Sequence, residues 1–198
     1  MFDIQHLIQT AGYLGLFAII FAESGILIGI FLPGDSLLFT AGFLASQGYF
    51  KIGFLLPIFF AAAYLGDLVG YLIGRRLGPK IFSRSKSFWF NPENVERTKN
   101  FYDKHGKKTV ILARFIPLVR TIAPIMAGVG EMRYETFAFY NGLGALAWGV
   151  GLTTLGYVFG NTIPNADKYV LPIVGLIVVV SLIPPALEFL RNRKKQVR

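Results

Sequence analysis

The stretch ARFIPLVRTIAPIMAG, residues 113–128, decides how this chain is organised. It lies in apolar surroundings but contains two arginines, Arg114 and Arg120, and two prolines, Pro117 and Pro124. A membrane-spanning helix needs about 20 predominantly apolar residues, and a proline inside a helix kinks or breaks it. We therefore expect the two prolines to split this stretch into limbs of about eight residues, each too short at 1.5 Å per residue to cross the bilayer.

The composition is typical of an integral membrane protein. Of the 198 residues, 54% are hydrophobic and only 16% are charged, whereas about 25% are charged in an average soluble domain. The absence of cysteine excludes disulfides, thiol catalysis and thiolate metal sites, and we expect neither a metal nor another cofactor. Four apolar runs are long enough to cross a hydrocarbon core of about 30 Å, namely residues 13–32, 52–73, 137–159 and 169–190.

The net charge of +9 points to membrane topology rather than to a nucleic-acid partner. Ten of the 20 lysines and arginines lie between residues 75 and 108, and five more lie in the tail 191–198. Segments rich in these residues stay in the cytoplasm, so an even number of crossings must separate the two. The runs 137–159 and 169–190 supply two crossings, which leaves residues 113–128 as a re-entrant hairpin entered from the cytoplasm.

The two halves of the chain contain related motifs. In the first half, AG at residues 41–42 is followed 28 positions later by GYLIG, which starts at Gly70. In the second half, AG ending at Gly128 is followed after the same interval by GYVFG, and FLP ending at Pro33 parallels FIP ending at Pro117. Because the two units would cross the membrane in opposite directions, we predict an inverted repeat, a plan that recurs in transporters.

The predicted fold is all-α and forms a single membrane domain, in which a re-entrant hairpin and a transmembrane helix alternate twice before a C-terminal transmembrane helix. Its parts are repeat 1 at about 13–74, a basic cytoplasmic loop with an interfacial helix at 75–108, repeat 2 at about 109–160, the C-terminal helix at 169–190 and the basic tail at 191–198. Symmetry favours an external N-terminus, although a fully spanning run 13–32 stays open.

Arginine at the centre of a bilayer costs about 2.5–3.5 kcal/mol on insertion scales, so Arg114 and Arg120 need partners. The first half offers Glu23, Asp35 and Asp67, and we predict that an acid of the first hairpin pairs with an arginine of the second. Such pairs could be purely structural locks. Buried ionisable groups in membranes are nevertheless functional by default, and planar guanidinium groups suit phosphate oxygens.

The three acids have different predicted roles. Glu23 lies ten residues into an apolar run, where the loss of water favours the protonated form and makes Glu23 a candidate for proton coupling. Asp35 follows a proline and a glycine, so it is either the N-cap of a short helix or a second coupling acid. Asp67, one turn from Tyr71, is expected to bond across a helix interface, and Gly70 is expected to permit close helix packing.

Five aromatic residues are candidates for anchors at the two membrane surfaces, where tyrosine and tryptophan are enriched. They are Tyr13, Tyr49, Trp89, Trp148 and Tyr169.

Three stretches together resemble the bacterial DedA membrane proteins, part of the wider VTT (SNARE-associated) group. They are FAESGILIGIFLPGDSLLFTAGFLA, GDLVGYLIGRRLG and ARFIPLVRTIAPIMAG. The resemblance covers about residues 20–160, and the third stretch is the most specific part of it.

The resemblance implies two opposed re-entrant hairpins and a role in moving lipid-linked phosphates across the bacterial inner membrane, with undecaprenyl phosphate as the leading substrate. It implies dependence on the proton-motive force, with Glu23 and Asp35 as the acidic pair and Arg114 and Arg120 as the phosphate-binding pair. The expected partner is therefore a membrane lipid, and formation of a homo-oligomer is left open. The expected location is the inner membrane, with the C-terminus in the cytoplasm.

The main alternative is a proton- or ion-coupled carrier of a small solute or drug, in which the same charges would bind ions. A membrane enzyme such as a lipid phosphatase is disfavoured, because the apolar spans contain neither cysteine nor histidine as nucleophile or base. A further alternative is a scaffold that helps other proteins to insert into the membrane. Loss of function in a variant that lacks one arginine but is present at normal abundance would argue against it.

Overall fold

The computed structural model describes residues 4–25, 34–82, 106 and 108–163, and these residues are helical with short turns. The all-α prediction is thereby confirmed for the described part of the chain. The helices are α1 (Ile4–Gly25), α2 (Gly34–Ser46), α3 (Ile52–Phe82), α4 (Pro117–Val129), α5 (Tyr134–Ala145) and α6 (Gly151–Thr162). Residues 108–113, ahead of α4, are also helical.

Two helices of the described part are long and apolar enough to cross a membrane. One is Ile52–Leu77 in α3, and the other is Tyr134–Thr162, in which the π-helical turn Leu146–Val150 joins α5 to α6. They correspond to the predicted spans 52–73 and 137–159.

The helix α3 continues past its apolar run to Phe82. The first residues of the predicted loop 75–108 are therefore helical, although they include Gly78 and Pro79, the two residue types that favour a helix least.

Three predicted parts lie wholly or partly outside the described residues. The C-terminal helix 169–190 and the tail 191–198 are outside entirely, as is the core of the interfacial helix in the loop 75–108. The run 13–32 is described only as far as Gly25, where α1 ends.

The helical conformation is interrupted at residues 114–116, directly before Pro117. Ile116 has an extended backbone, with φ −115° and ψ 108°, and Pro117 begins α4. Proline disfavours the helical conformation of the residue before it. At the first position of a helix a backbone N–H has no partner within the helix, so the absence of this N–H in proline costs nothing there. A helix start at this proline follows from both effects.

The prediction that Pro124 also separates two limbs is wrong, because α4 continues through it. Pro124 removes one backbone donor from the helix. It is buried against α3 at Gly70, where a Cβ would lie 3.4 Å from the Cβ of Pro124. Packing of α4 against α3 therefore keeps the helix intact in spite of the proline.

Each short helix packs against the long span of the other half of the chain. α2, from the first half, lies along α6 in the second, and α4, from the second half, lies along α3 in the first. Gly42 of α2 contacts the backbone of Thr153, and Gly128 of α4 contacts the backbone of Tyr71. A Cβ at either glycine would collide with these backbone atoms, so both glycines permit the close approach that small residues provide in membranes.

Large apolar side chains cover the outside of the bundle as well as its core. Leu14, Phe54, Phe139 and Leu155 are each more than half exposed. A hydrocarbon environment explains this exposure, since lipid tails solvate leucine and phenylalanine where water would not.

Candidate functional site

Five ionisable side chains meet inside the bundle and form what we call the charged cluster. Glu23 lies two residues before the end of α1, Asp35 in the first turn of α2, and Asp67 within α3. Arg114 lies in the break before α4, and Arg120 is the fourth residue of α4. Four of the five therefore lie where a helix begins or ends, and the packing of these helix ends brings the charges together.

A close crossing of α1 and α3 helps to position the acids. A Cβ at Gly25 would lie 2.7 Å from the backbone oxygen of Gly66, so the two backbones touch at this point. Glu23 and Asp67 are each within two residues of the contact. Gly34, at the start of α2, leaves the space that the Glu23 carboxyl fills, because a Cβ there would lie 2.5 Å from Glu23 Oε2.

Arg120 pairs with both acids of the first half that sequence analysis proposed for proton coupling. Its Nη2 donates to Glu23 Oε1, and its Nη1 donates to Asp35 Oδ1 at 2.5 Å. The predicted pairing of an acid from the first half with an arginine from the second is therefore present. Glu23 is only 1% exposed, whereas the side chain of Asp35 is 48% exposed.

Arg114 is held by a separate and fully buried set of acceptors. Its Nη2 lies 2.5 Å from Asp67 Oδ2, 2.6 Å from Asn141 Oδ1 and 3.2 Å from the carbonyl oxygen of Ala63. The amide of Asn141 donates in turn to the carbonyl of Tyr64 at 3.0 Å, which fixes its orientation. Removing one partner from such a buried pair costs about 3–5 kcal/mol, because the other charge is left uncompensated.

The structure excludes the N-cap alternative for Asp35 and identifies the partner of Asp67. Asp35 is the second residue of α2 and not its N-cap, and its Oδ1 accepts from Arg120 and Trp148. Asp67 does bond across a helix interface, as expected, but its partner is Arg114.

Trp148 is not an interface anchor, as its residue type had suggested, but part of this site. It is 2% exposed, and its Nε1 donates to Asp35 Oδ1 at 2.6 Å. The Cζ atoms of Arg120 and Arg114 lie 4.8 and 5.8 Å from the centre of its ring. A desolvated cation over a tryptophan face gains about 2 kcal/mol.

Sequence reasoning missed Asn141 entirely and misassigned Trp148. Both gave a signal that could have been used. Trp148 lies in the middle of the apolar run 137–159 rather than at an end, and Asn141 is an amide within the same run. Polar groups inside a membrane span pair with other polar groups, and this holds for both side chains.

A cavity of about 10 Å³ lies between the two arginines. Asp67, Arg114 and Arg120 contribute to its lining, and the Nε atoms of both arginines are buried without a hydrogen-bond partner among the described residues. The space is close to what one water molecule needs, and it is far smaller than a phosphate group. The cluster is thus closed by its own ion pairs in this conformation.

Asp67, which was predicted as structural, belongs to the charged cluster itself. Gly70 and Gly128 form the α3–α4 contact, Pro117 begins α4 and Pro124 is buried within it. Pro33 lies outside the described residues.

Comparison with known proteins places the chain in a family. The VTT domain matches residues 32–158, which include four members of the charged cluster together with Trp148 and Asn141. No solved structure matches the chain.

The relatives are bacterial proteins that match along most of their length. The chain is 47% identical to Protein DedA of Escherichia coli (strain K12) over 189 residues, which cover 94% of this chain and 85% of that protein. It is 41% identical to an uncharacterized membrane protein of Mycobacterium leprae over 180 residues, covering 91% and 80%. It is 38% identical to the inner membrane protein YqjA of Escherichia coli (strain K12) over 160 residues, covering 79% and 71%. The chain is therefore a membrane protein of the VTT-domain family, the family of DedA.

Proposed function

We propose that the chain is a transporter that moves a lipid-linked phosphate, with undecaprenyl phosphate as the leading substrate, across the bacterial inner membrane. The observation that carries this proposal is the pair of guanidinium groups buried in an apolar helical bundle, where exchangeable carboxylates balance them. Arginine binds phosphate oxygens through two parallel hydrogen bonds. It also offsets part of the cost of taking an anionic headgroup into the hydrocarbon layer.

We further propose that each half contributes a re-entrant hairpin and that the halves are inverted repeats. α2 and α4 have 13 residues each, and such a helix is about 20 Å long, short of a core of about 30 Å. In each half, the short helix packs against the long span of the other half, α2 on α6 and α4 on α3. This supports the repeat, because a two-fold relation between the halves predicts such reciprocal contacts.

The two arginines have different parts in this proposal. Arg114 is anchored by Asp67, Asn141 and the carbonyl of Ala63, all of them buried. The Nη1 of Arg120 donates to Oδ1 of the half-exposed Asp35. A phosphate that approaches from the Asp35 side replaces a carboxylate on Arg120 at little cost, so Arg120 makes the first contact and Arg114 stabilises the cavity that opens behind it.

The charge balance of the cluster supports proton coupling. Three carboxylates face two guanidinium groups, which leaves one negative charge in excess when all five groups are ionised. A proton on Glu23 or Asp35 balances the cluster and frees hydrogen-bond donors of Arg120 for phosphate. Glu23 Oε2 has no hydrogen-bond partner among the described residues and can carry the proton.

Transport by purified protein in vesicles tests the function. Polyprenyl phosphate and an ordinary phospholipid are compared as substrates, with and without a pH gradient. We expect inward movement of the polyprenyl phosphate alone, accelerated by the gradient. Arg120→Lys keeps the charge but loses the planar fork, so its rate is expected to fall at least tenfold, and Glu23→Gln is expected to abolish the response to the gradient.

The matched control is Arg76→Ala, which removes an exposed arginine of α3 outside the cluster and is expected to leave the rate unchanged. Equal rates for Arg120→Lys and the unchanged protein would remove arginine from the mechanism. Uptake of a soluble solute without lipid movement would favour the small-solute carrier instead.

A further inference from the structure

Trp148 contacts three members of the charged cluster at once. Its ring faces the guanidinium groups of Arg120 and Arg114, and its N–H is bound to Asp35 Oδ1, the oxygen that also accepts from Arg120. It therefore contacts both the Arg114–Asp67 pair and the pairs made by Arg120.

The backbone that carries Trp148 is itself unusual. The π-helical turn Leu146–Val150 inserts one residue into an otherwise α-helical span and so changes the direction of the side chains on either side of it. Such turns are rare and occur often at functional sites. In this chain the turn directs an indole to the centre of a buried cluster of charges.

We propose that Trp148 is a positioning residue for anion binding, in which the ring holds the Arg120 guanidinium in place while its carboxylate partners are exchanged for a phosphate. This inference rests on the proposed function. The attraction between cation and ring does not depend on the protonation of Glu23 or Asp35. The ring therefore remains a partner of Arg120 when the acids are protonated or displaced, and the N–H continues to hold the Asp35 carboxylate to one side of the guanidinium.

A series of fluorinated tryptophans tests the ring directly, because fluorine weakens the electrostatic attraction of the ring for a cation while the shape and the N–H are kept. The chain has two tryptophans, so Trp89→Phe leaves Trp148 as the labelled position in the full-length protein. In vesicles with polyprenyl phosphate, we expect the half-saturating lipid concentration to rise with each added fluorine, at least threefold over the series. The maximal rate is expected to change less than twofold.

Substitutions extend the series in both directions. Trp148→Phe keeps an aromatic face and is expected to rescue most of the affinity that Trp148→Leu loses. A flat fluorination series would overturn the proposal even if Trp148→Leu were unstable, since the fluorinated proteins keep the native packing.

A second measurement needs no substrate and separates this proposal from the proposed function. Phenylglyoxal modifies accessible guanidinium groups, and peptide mass spectrometry follows Arg120 and Arg114 separately. We expect modification of Arg120 to accelerate along the series, while Arg114 stays slow because Asp67, Asn141 and Ala63 hold it.

The outcomes of the two measurements are distinct. If the unlabelled protein moves no polyprenyl phosphate but Arg120 reacts faster along the series, the proposed function is wrong, while the finding that the ring holds the Arg120 guanidinium stands. If transport affinity falls along the series while Arg120 reacts at a constant rate, the ring acts on something other than this guanidinium, and the positioning role is overturned.

Discussion

Arg114 and Arg120 are six residues apart and differ in the surroundings of their guanidinium groups. Substituting Arg114 leaves the buried Asp67 carboxylate and the buried Asn141 oxygen without their arginine donor and removes a bond to the carbonyl of Ala63. Substituting Arg120 leaves one buried carboxyl and one that is open to exchange. At the scale of single residues, we therefore expect the first arginine to act chiefly on stability and the second chiefly on binding.

Arg114→Ala is therefore expected to destabilise the protein by about 3–5 kcal/mol, the cost of leaving a buried charge unpaired. Arg120→Ala is expected to cost less. The temperature of unfolding in detergent, followed by size-exclusion chromatography after heating, compares the two. Adding Asp67→Asn to Arg114→Ala removes the uncompensated charge and should recover part of the loss, and a larger loss for Arg120→Ala would contradict the assignment.

Gly144 makes room for Arg114. A Cβ at this position would lie 2.7 Å from Arg114 Cδ, and this side chain cannot easily move aside because its Nη2 is bonded to Asp67, Asn141 and Ala63. Gly144→Ala is thus expected to displace the guanidinium and to lower the unfolding temperature by several degrees, since overpacking costs about 1–3 kcal/mol. Gly142→Ala, in the same helix, meets only an ordinary contact of 3.6 Å with Tyr64 and serves as the control. Equal effects of the two changes would show that the contact with Arg114 is unimportant.

At the scale of elements, the short helices are positioned by contacts between backbones. Gly42 lets α2 touch α6, and Gly128 lets α4 touch α3. Because these contacts join one half of the chain to the other, they also set the distance between the acids of the first half and the arginines of the second. The interruption of the helix at 114–116 also positions the arginines, since Arg114 lies in this turn and Arg120 lies in the first turn of the helix that follows.

We expect Gly42→Ala and Gly128→Ala each to lower the unfolding temperature and to weaken transport together, because the added methyl group separates two backbones that hold the cluster closed. The control is Gly15→Ala in α1, where no atom lies within 4 Å of the new Cβ. There the better helix propensity of alanine gives a change between zero and about 1 kcal/mol of stabilisation. Thermal unfolding and vesicle transport measured on the same preparations check both effects, and transport that survives Gly128→Ala unchanged would detach the packing from the mechanism.

At the scale of the whole molecule, the proposed opposed orientation of the two hairpins would let one site face both sides of the membrane in turn. α2 ends at Ser46 and α4 ends at Val129. An inverted repeat puts these two ends on opposite membrane surfaces.

The absence of cysteine makes this orientation directly measurable. Tyr49→Cys and Arg133→Cys introduce single thiols at exposed positions just beyond α2 and α4. In intact cells, an impermeant thiol reagent is expected to label the first from outside and to leave the second unlabelled until the membrane is opened. Labelling of both thiols from the same side would rule out the inverted repeat.

The sequence predicted the membrane class, the two described long spans and the all-α fold. These depend on the length of apolar runs and on the distribution of lysine and arginine, which are local properties of the sequence that determine how it inserts into a bilayer. Pro117 marked the start of a helix for the same kind of local reason. Pro124 did not mark a break, since its effect depends on packing against Gly70, which no local pattern contains.

The five ionisable members of the charged cluster were identifiable from sequence, because a charge in an apolar run is conspicuous wherever it lies. Which acid pairs with which arginine was decided by the tertiary structure, where α1, α2 and α3 meet the turn before α4. Only that arrangement brings Asn141 and Trp148 to the arginines, and a tryptophan is ambiguous in sequence because its apolar ring and polar N–H suit a membrane surface and a buried polar site equally well. Composition thus determined that charges must be sheltered within the membrane, and packing between distant segments decided what shelters them.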